Sequence, residues 1–214
     1  MRGQQTVAVD VLLSFAAALI SLRLAGRLLR SGRIAWAGGL LSFAAAAGAM
    51  AWGAAHGWDE ASFRVYYLAG ALLSAPLLGI GSLLLAGVRR ARTVGLVYAG
   101  LAVGIALAMP VHGAFAAHGI PPAQDHLAFL PARLLAILAN ALGTLAVVGV
   151  ALRSLRRRPL GNALIVLGVT AAAVGSGVAG LGAGGAAIGI ALGAVLLYAG
   201  FVAGPRSRAP RPSA

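Results

Sequence analysis

Apolar positions along this chain run in long blocks, at about 6–26, 34–56, 64–88, 93–117, 129–152, 160–179 and 183–203, separated by short polar stretches. About twenty residues at 1.5 Å rise cover a hydrocarbon core of roughly 30 Å, so each block is long enough for one membrane-crossing helix. The pattern predicts an all-α polytopic membrane bundle of seven transmembrane helices over residues 1–204, with a disordered basic tail over 205–214. Stretch 124–158 shows the pattern most plainly. It opens on Asp125 and His126, stays apolar for more than twenty residues, and ends in Arg153, Arg156, Arg157 and Arg158.

Charge gives the blocks a direction. Fourteen of the 17 arginines fall in the connections after blocks one, three and five and in the tail. The opposite side holds Arg2, Arg64 and Arg133, all four acids (Asp10, Asp59, Glu60, Asp125) and all four histidines (His56, His112, His118, His126). Basic loops stay in the cytoplasm, so the alternation predicts an external N-terminus and a cytoplasmic C-terminus in an inner or plasma membrane. The first block does not read as a cleavable signal, because its arginines follow the apolar stretch and Asp10 interrupts it.

Composition sharpens this picture. The chain has 214 residues, 60% apolar and only 10% charged, where a soluble domain carries about a quarter charged. A net charge of +13 would suggest nucleic acid in a soluble protein, but here it is partitioned between spans, and no nucleic-acid partner is expected. All 17 basic residues are arginine, which excludes lysine Schiff-base chemistry, and the lack of cysteine excludes disulfides and thiolate sites. No catalytic set emerges, neither a zinc-protease helix nor a nucleophile elbow nor a phosphate loop, so the reading leans away from an enzyme.

Polar groups inside the blocks are the candidate chemistry. Asp10 lies about 6 Å inside the first span, with Ser14 and Ser21 on its face. Arg64 opens the third, with Tyr67 and Ser74 following. Arg133 stands near the outer end of the fifth, with Asn140 about 10 Å deeper and Thr144 one turn on. A charge in lipid needs a partner or water. The expectation is an outward polar pocket of Asp10, Arg64, Tyr67, Arg133 and Asn140, with Asp10 paired to Arg64 or Arg133, that binds or passes a small solute, ion or proton. The plainer alternative has the arginines reaching the headgroups and Asn140 bonding a neighbouring helix.

His112, His118, Asp125 and His126 form a weaker constellation. Imidazole with carboxylate suits divalent metals, and haem needs facing histidines, but loop histidines are more often simply solvated. No cofactor is predicted.

Glycine rows at Gly185, Gly189 and Gly193, at Gly100 and Gly104, and the small row Gly38, Ser42 and Ala46 predict close helix contacts. The first offers a face for a homo-oligomer or another membrane protein, which frames an accessory subunit or scaffold as the alternative function; the basic loops, meeting a signalling partner, frame a sensor. Pro76 and Pro110 fall within the third and fourth blocks and predict kinks.

At 63–84, 139–150 and 161–168 the chain resembles a family of bacterial seven-helix membrane proteins with no established activity. The likeness rests on Arg64, Tyr66, Tyr67, Leu68 and Gly70 opening the third helix, Asn140 in the fifth, and Gly161 with Asn162 opening the sixth. It implies the seven-helix architecture and no substrate. An asparagine is expected in that family where this chain has Ser74.

Overall fold

The computed structural model describes residues 2–115, 119–180 and 185–203. Among them the chain is helical, with no strand. The helices are α1 (Arg2–Arg30), α2 (Ile34–His56), α3 (Glu60–Leu85), α4 (Ala91–Ala108), α5 (Leu134–Arg153), α6 (Pro159–Gly180) and α7 (Ala186–Val202). Six of the helical segments are long and apolar enough to cross a membrane; α7, at 17 residues, is a shorter apolar helix. Leu12, Leu96, Leu107 and Leu142 are each more than 60% exposed. Apolar surface on this scale suits hydrocarbon better than water. This is a multi-pass membrane protein. The predicted tail and His118 lie outside the described residues.

α1 packs on α2 and α7, α2 on α3, α3 on α5, α5 on α6, and α6 on α7, so six helices close a ring. The remaining helix, α4, packs against the outside of α3. Reversal between neighbours gathers Arg33, Arg89, Arg90 and Arg157 at one end of the bundle. Asp59, Glu60, Asp125 and His126 gather at the other. These are called the arginine end and the acid end.

Small residues set the closest approaches. A Cβ on Gly79 of α3 would lie 2.6 Å from Gly143 Cα on α5, so these helices meet backbone to backbone. On α7, a Cβ at Gly189 would lie 2.9 Å from Gly175 Cα, and one at Gly193 2.8 Å from Ala172 Cβ, both on α6. Gly189 and Gly193 of the doubled row thus pack inside the chain against α6. Gly185 takes φ +87° in open space at the head of α7.

The two prolines behave differently. α4 ends at Ala108, and Met109 is extended (φ −64°, ψ 127°). The expected kink at Pro110 is a helix end instead, because the residue before a proline is driven out of the α region. Within α3, Pro76 follows a π-helical stretch, Tyr67–Ser74, so the backbone is locally widened.

Candidate functional site

The widened stretch of α3 leaves carbonyls without backbone partners. Pro76 has no N–H, so Leu72 loses its i+4 donor and Ala71 its i+5 donor. Side chains from two other helices fill the gaps. Asn140 of α5 donates through Nδ2 to Ala71 O and, at 2.8 Å, to its own Ala136 O. The Tyr98 hydroxyl of α4 donates to Leu72 O. One residue earlier, Ser74 Oγ donates to Gly70 O at 2.6 Å. Asn140 therefore bonds a neighbouring helix, while its side chain also faces a cavity.

That cavity holds about 370 Å³ among α2, α3, α5, α6 and α7. Phe43, Ala47 and Met50 of α2, Ala136 of α5 and Ile190 of α7 give it an apolar wall. Its polar groups are Tyr66, Tyr67, Ser74, Asn140, Thr144 and Ser176, all uncharged side chains, and no Asp, Glu, Arg or His belongs to the lining. Toward the acid end it is covered by Pro121 and Ala123 of the α4–α5 connection. Between α5 and α6 the lining residues Ile137, Ala173, Ser176 and Gly177 are exposed. The opening therefore faces the side of the bundle, where lipid would lie. Toward the arginine end a buried cluster including Leu40, Leu78, Val147, Val169 and Leu197 closes it.

Of the five residues expected to share a pocket, Tyr67 and Asn140 line this cavity and Asp10, Arg64 and Arg133 do not. The expected pairing of Asp10 is corrected. Arg64 pairs with Glu60, one turn back, at 2.7 Å, the one ion pair among the described residues. Its other terminal nitrogen donates to Ala106 O at 2.7 Å, tying down the last turn of α4. Arg133 lies over the Phe129 ring at 5.6 Å. Asp10 is half-buried. A local i,i+4 partner and free carbonyls within one arm's reach of Arg64 outcompete a carboxylate on α1.

The covering connection is held by histidines. His112 N–H donates to His126 O at 3.0 Å, and His126 Nδ1–H donates back to His112 O at 2.8 Å. His126 is buried against Phe115 and Phe63, ring centres 4.4 and 5.3 Å away. At the start of α3, Asp59 caps the helix: its carboxylate accepts from Ser62 N–H (2.7 Å) and Ser62 Oγ (2.6 Å). Those bonds hold its carboxyl below the ordinary value of 3.8. Among the described residues no three His, Asp or Glu side chains gather to hold a metal. The Nδ1 of His126 is occupied by its structural bond to His112 O.

The sequence pattern did not single out Phe43, Met50 and Ser176, and it marked Tyr66 only through the family likeness. Tyr98 also went unnoticed, although a lone tyrosine hydroxyl in an apolar span is itself a signal that an acceptor waits nearby. No protein-family model, curated protein or solved structure matches the chain, so its site is read from its own geometry.

Proposed function

We propose that this chain binds, and passes across or out of the bilayer, a small neutral molecule that is mostly apolar. The observation carrying this reading is the 370 Å³ cavity, walled by five helices without an ionised side chain and open between α5 and α6. Pockets of about 300–1,000 Å³ with apolar walls and a few polar groups suit small organic ligands. An ion or proton path would need charges or a polar file inside, and the lining favours neither. Asn140 and Thr144 would orient the guest by its polar atom, and the π-helical break in α3 would supply a deformable wall.

The same reading takes α7 as a seventh crossing. Its 17 residues span about 26 Å, close to the hydrocarbon thickness, and it runs antiparallel to α6. With seven crossings the N-terminus lies outside, the arginine end in the cytoplasm, and the protein in a bacterial inner membrane. Photolabelling tests the binding claim. A small apolar diazirine should label the Tyr66–Ala75 segment saturably and be displaced by its unreactive analogue; purely non-saturable labelling of lipid-facing residues would refute it.

A second reading, a docking subunit of a membrane complex, is favoured by one feature. Gly100 and Gly104 on the peripheral α4 are exposed, with open space where a Cβ would stand. Such a row admits a partner helix closely. If Gly100→Leu released a co-purifying membrane protein and left photolabelling unchanged, this second reading would gain.

A further inference from the structure

A second cavity, of about 430 Å³, opens at the arginine end among α2, α3, α5, α6 and α7. Arg33, Arg153, Arg157 and Arg158 stand around it, with Ser154 and Asn162. Arg153 and Arg157 are exposed, while Arg33 and Arg158 are half-buried. No acid belongs to the lining, and the chain's four acids all occur at positions 10, 59, 60 and 125, away from this end. The positive charge here has no counterpart within the described residues. Four guanidinium groups converging on one hollow repel one another unless an anion or bulk water intervenes.

Residues lining the hollow also carry buried donors with nothing to donate to. Trp36 lines it at 3% exposure, and its Nε1–H finds no acceptor. The Nε–H of Arg158 is buried and likewise unpartnered, although its Nη2 reaches Ala203 O and, at 3.4 Å, Gly200 O at the end of α7. A buried donor left unmade costs about 1–3 kcal/mol. Asn162, 7% exposed in the first turn of α6, points its amide nitrogen at Ser154 Oγ, 2.9 Å away. The site thus offers donors and positive charge, while its acceptors are uncharged, Ser154 Oγ and carbonyls at the end of α7. Its remaining wall, including Val147, Val150, Ile165 and Phe201, is apolar.

We propose that this cavity binds a phosphate group. Guanidinium forks match a tetrahedral oxyanion, several can share one, and the start of a helix adds favourable backbone dipoles. The phosphate would belong either to an anionic lipid headgroup, whose acyl chains meet the apolar wall, or to a soluble phosphate. Basic hollows between helix ends on a cytoplasmic face suit the former.

The test uses the full chain in neutral detergent. Native mass spectrometry follows retention of phosphatidylglycerol against phosphatidylcholine, and calorimetry follows inorganic phosphate. Phosphatidylglycerol is expected to be retained about tenfold more tightly than phosphatidylcholine, the size of one charged hydrogen bond. The double variant Arg153→Gln/Arg157→Gln should abolish that preference. Arg89→Gln/Arg90→Gln, exposed at the same end but outside the hollow, should keep it. Trp36→Phe, which keeps an aromatic side chain and removes the N–H, should weaken binding several-fold. If inorganic phosphate binds and displaces the lipid, the source is a soluble phosphate; if it does neither, the source is the headgroup. Equal retention of both lipids with no phosphate heat overturns the proposal. So does equal loss in the two arginine pairs, which would reduce the effect to general surface charge.

Discussion

Asn140 on α5 supplies the hydrogen bond that Pro76 on α3 withholds: its amide donates to Ala71 O, the carbonyl five residues before the proline. The relationship makes the two residues energetically dependent. Asn140→Ala should destabilise the protein by about 0.5–1.5 kcal/mol, the range for such bonds within a bilayer. Pro76→Ala restores a backbone donor, so the same asparagine substitution should then cost less than half as much. A double-mutant cycle in reversible detergent unfolding measures this, and strict additivity would contradict the pairing.

Arg64 and Glu60 should prove unequal partners. Glu60 is exposed, its side chain 59% accessible, and a surface ion pair contributes about 0–1 kcal/mol. Arg64 also bonds the last carbonyls of α4, where a charged bond contributes about 1.5–3 kcal/mol. Glu60→Gln should therefore change thermal stability little, while Arg64→Gln lowers it and speeds hydrogen exchange near the end of α4. Equal effects would mean the ion pair, not the helix tie, dominates.

Asp59 predicts an acid dependence. Its carboxyl is held below 3.8 in the folded protein by Ser62, so its contribution is complete above that value and is lost as pH falls through the lower folded value. Thermal unfolding followed from about pH 5 down to about pH 3 should show a steeper loss for wild type than for Asp59→Asn, which keeps an acceptor that does not titrate. Parallel curves would remove Asp59 from the acid response.

Orientation is open to direct measurement because the chain has no cysteine. Arg157 and Asp125 are both exposed, at opposite ends. Arg157→Cys should react with an impermeant maleimide only after the cells are lysed, and Asp125→Cys in intact cells. The reverse pattern would invert the bundle.

Much of the fold was readable because membrane thickness constrains helix length strongly. The six long helices fall close to the predicted blocks, and the local rule that ends α4 before Pro110 was present in the sequence but outweighed by the apolar run beyond it. The site was less readable. Pro76 and Asn140 each stood out alone, yet what links them is the bond from Asn140 to Ala71 O, 69 positions apart, which depends on how α3 meets α5. Gly79 and Gly143 set that meeting, and each is paired only with an alanine four residues earlier, a weak signal in so alanine-rich a chain. Arg64 and Glu60, four apart, were within reach of a simple helical-spacing argument; attention to charges in the span hid the nearer partner.

The side opening between α5 and α6 is where the account is most exposed. Ala173 is an exposed residue of that opening, so Ala173→Phe should obstruct entry without disturbing the packed ring. Saturable labelling of the Tyr66–Ala75 segment by the apolar diazirine, compared between wild type and this variant in lipid vesicles, tests it directly. Strong, competable labelling is expected in the wild type, and its loss in an equally stable Ala173→Phe protein. Labelling that persists unchanged in the variant, or that is never saturable in the wild type, would contradict it.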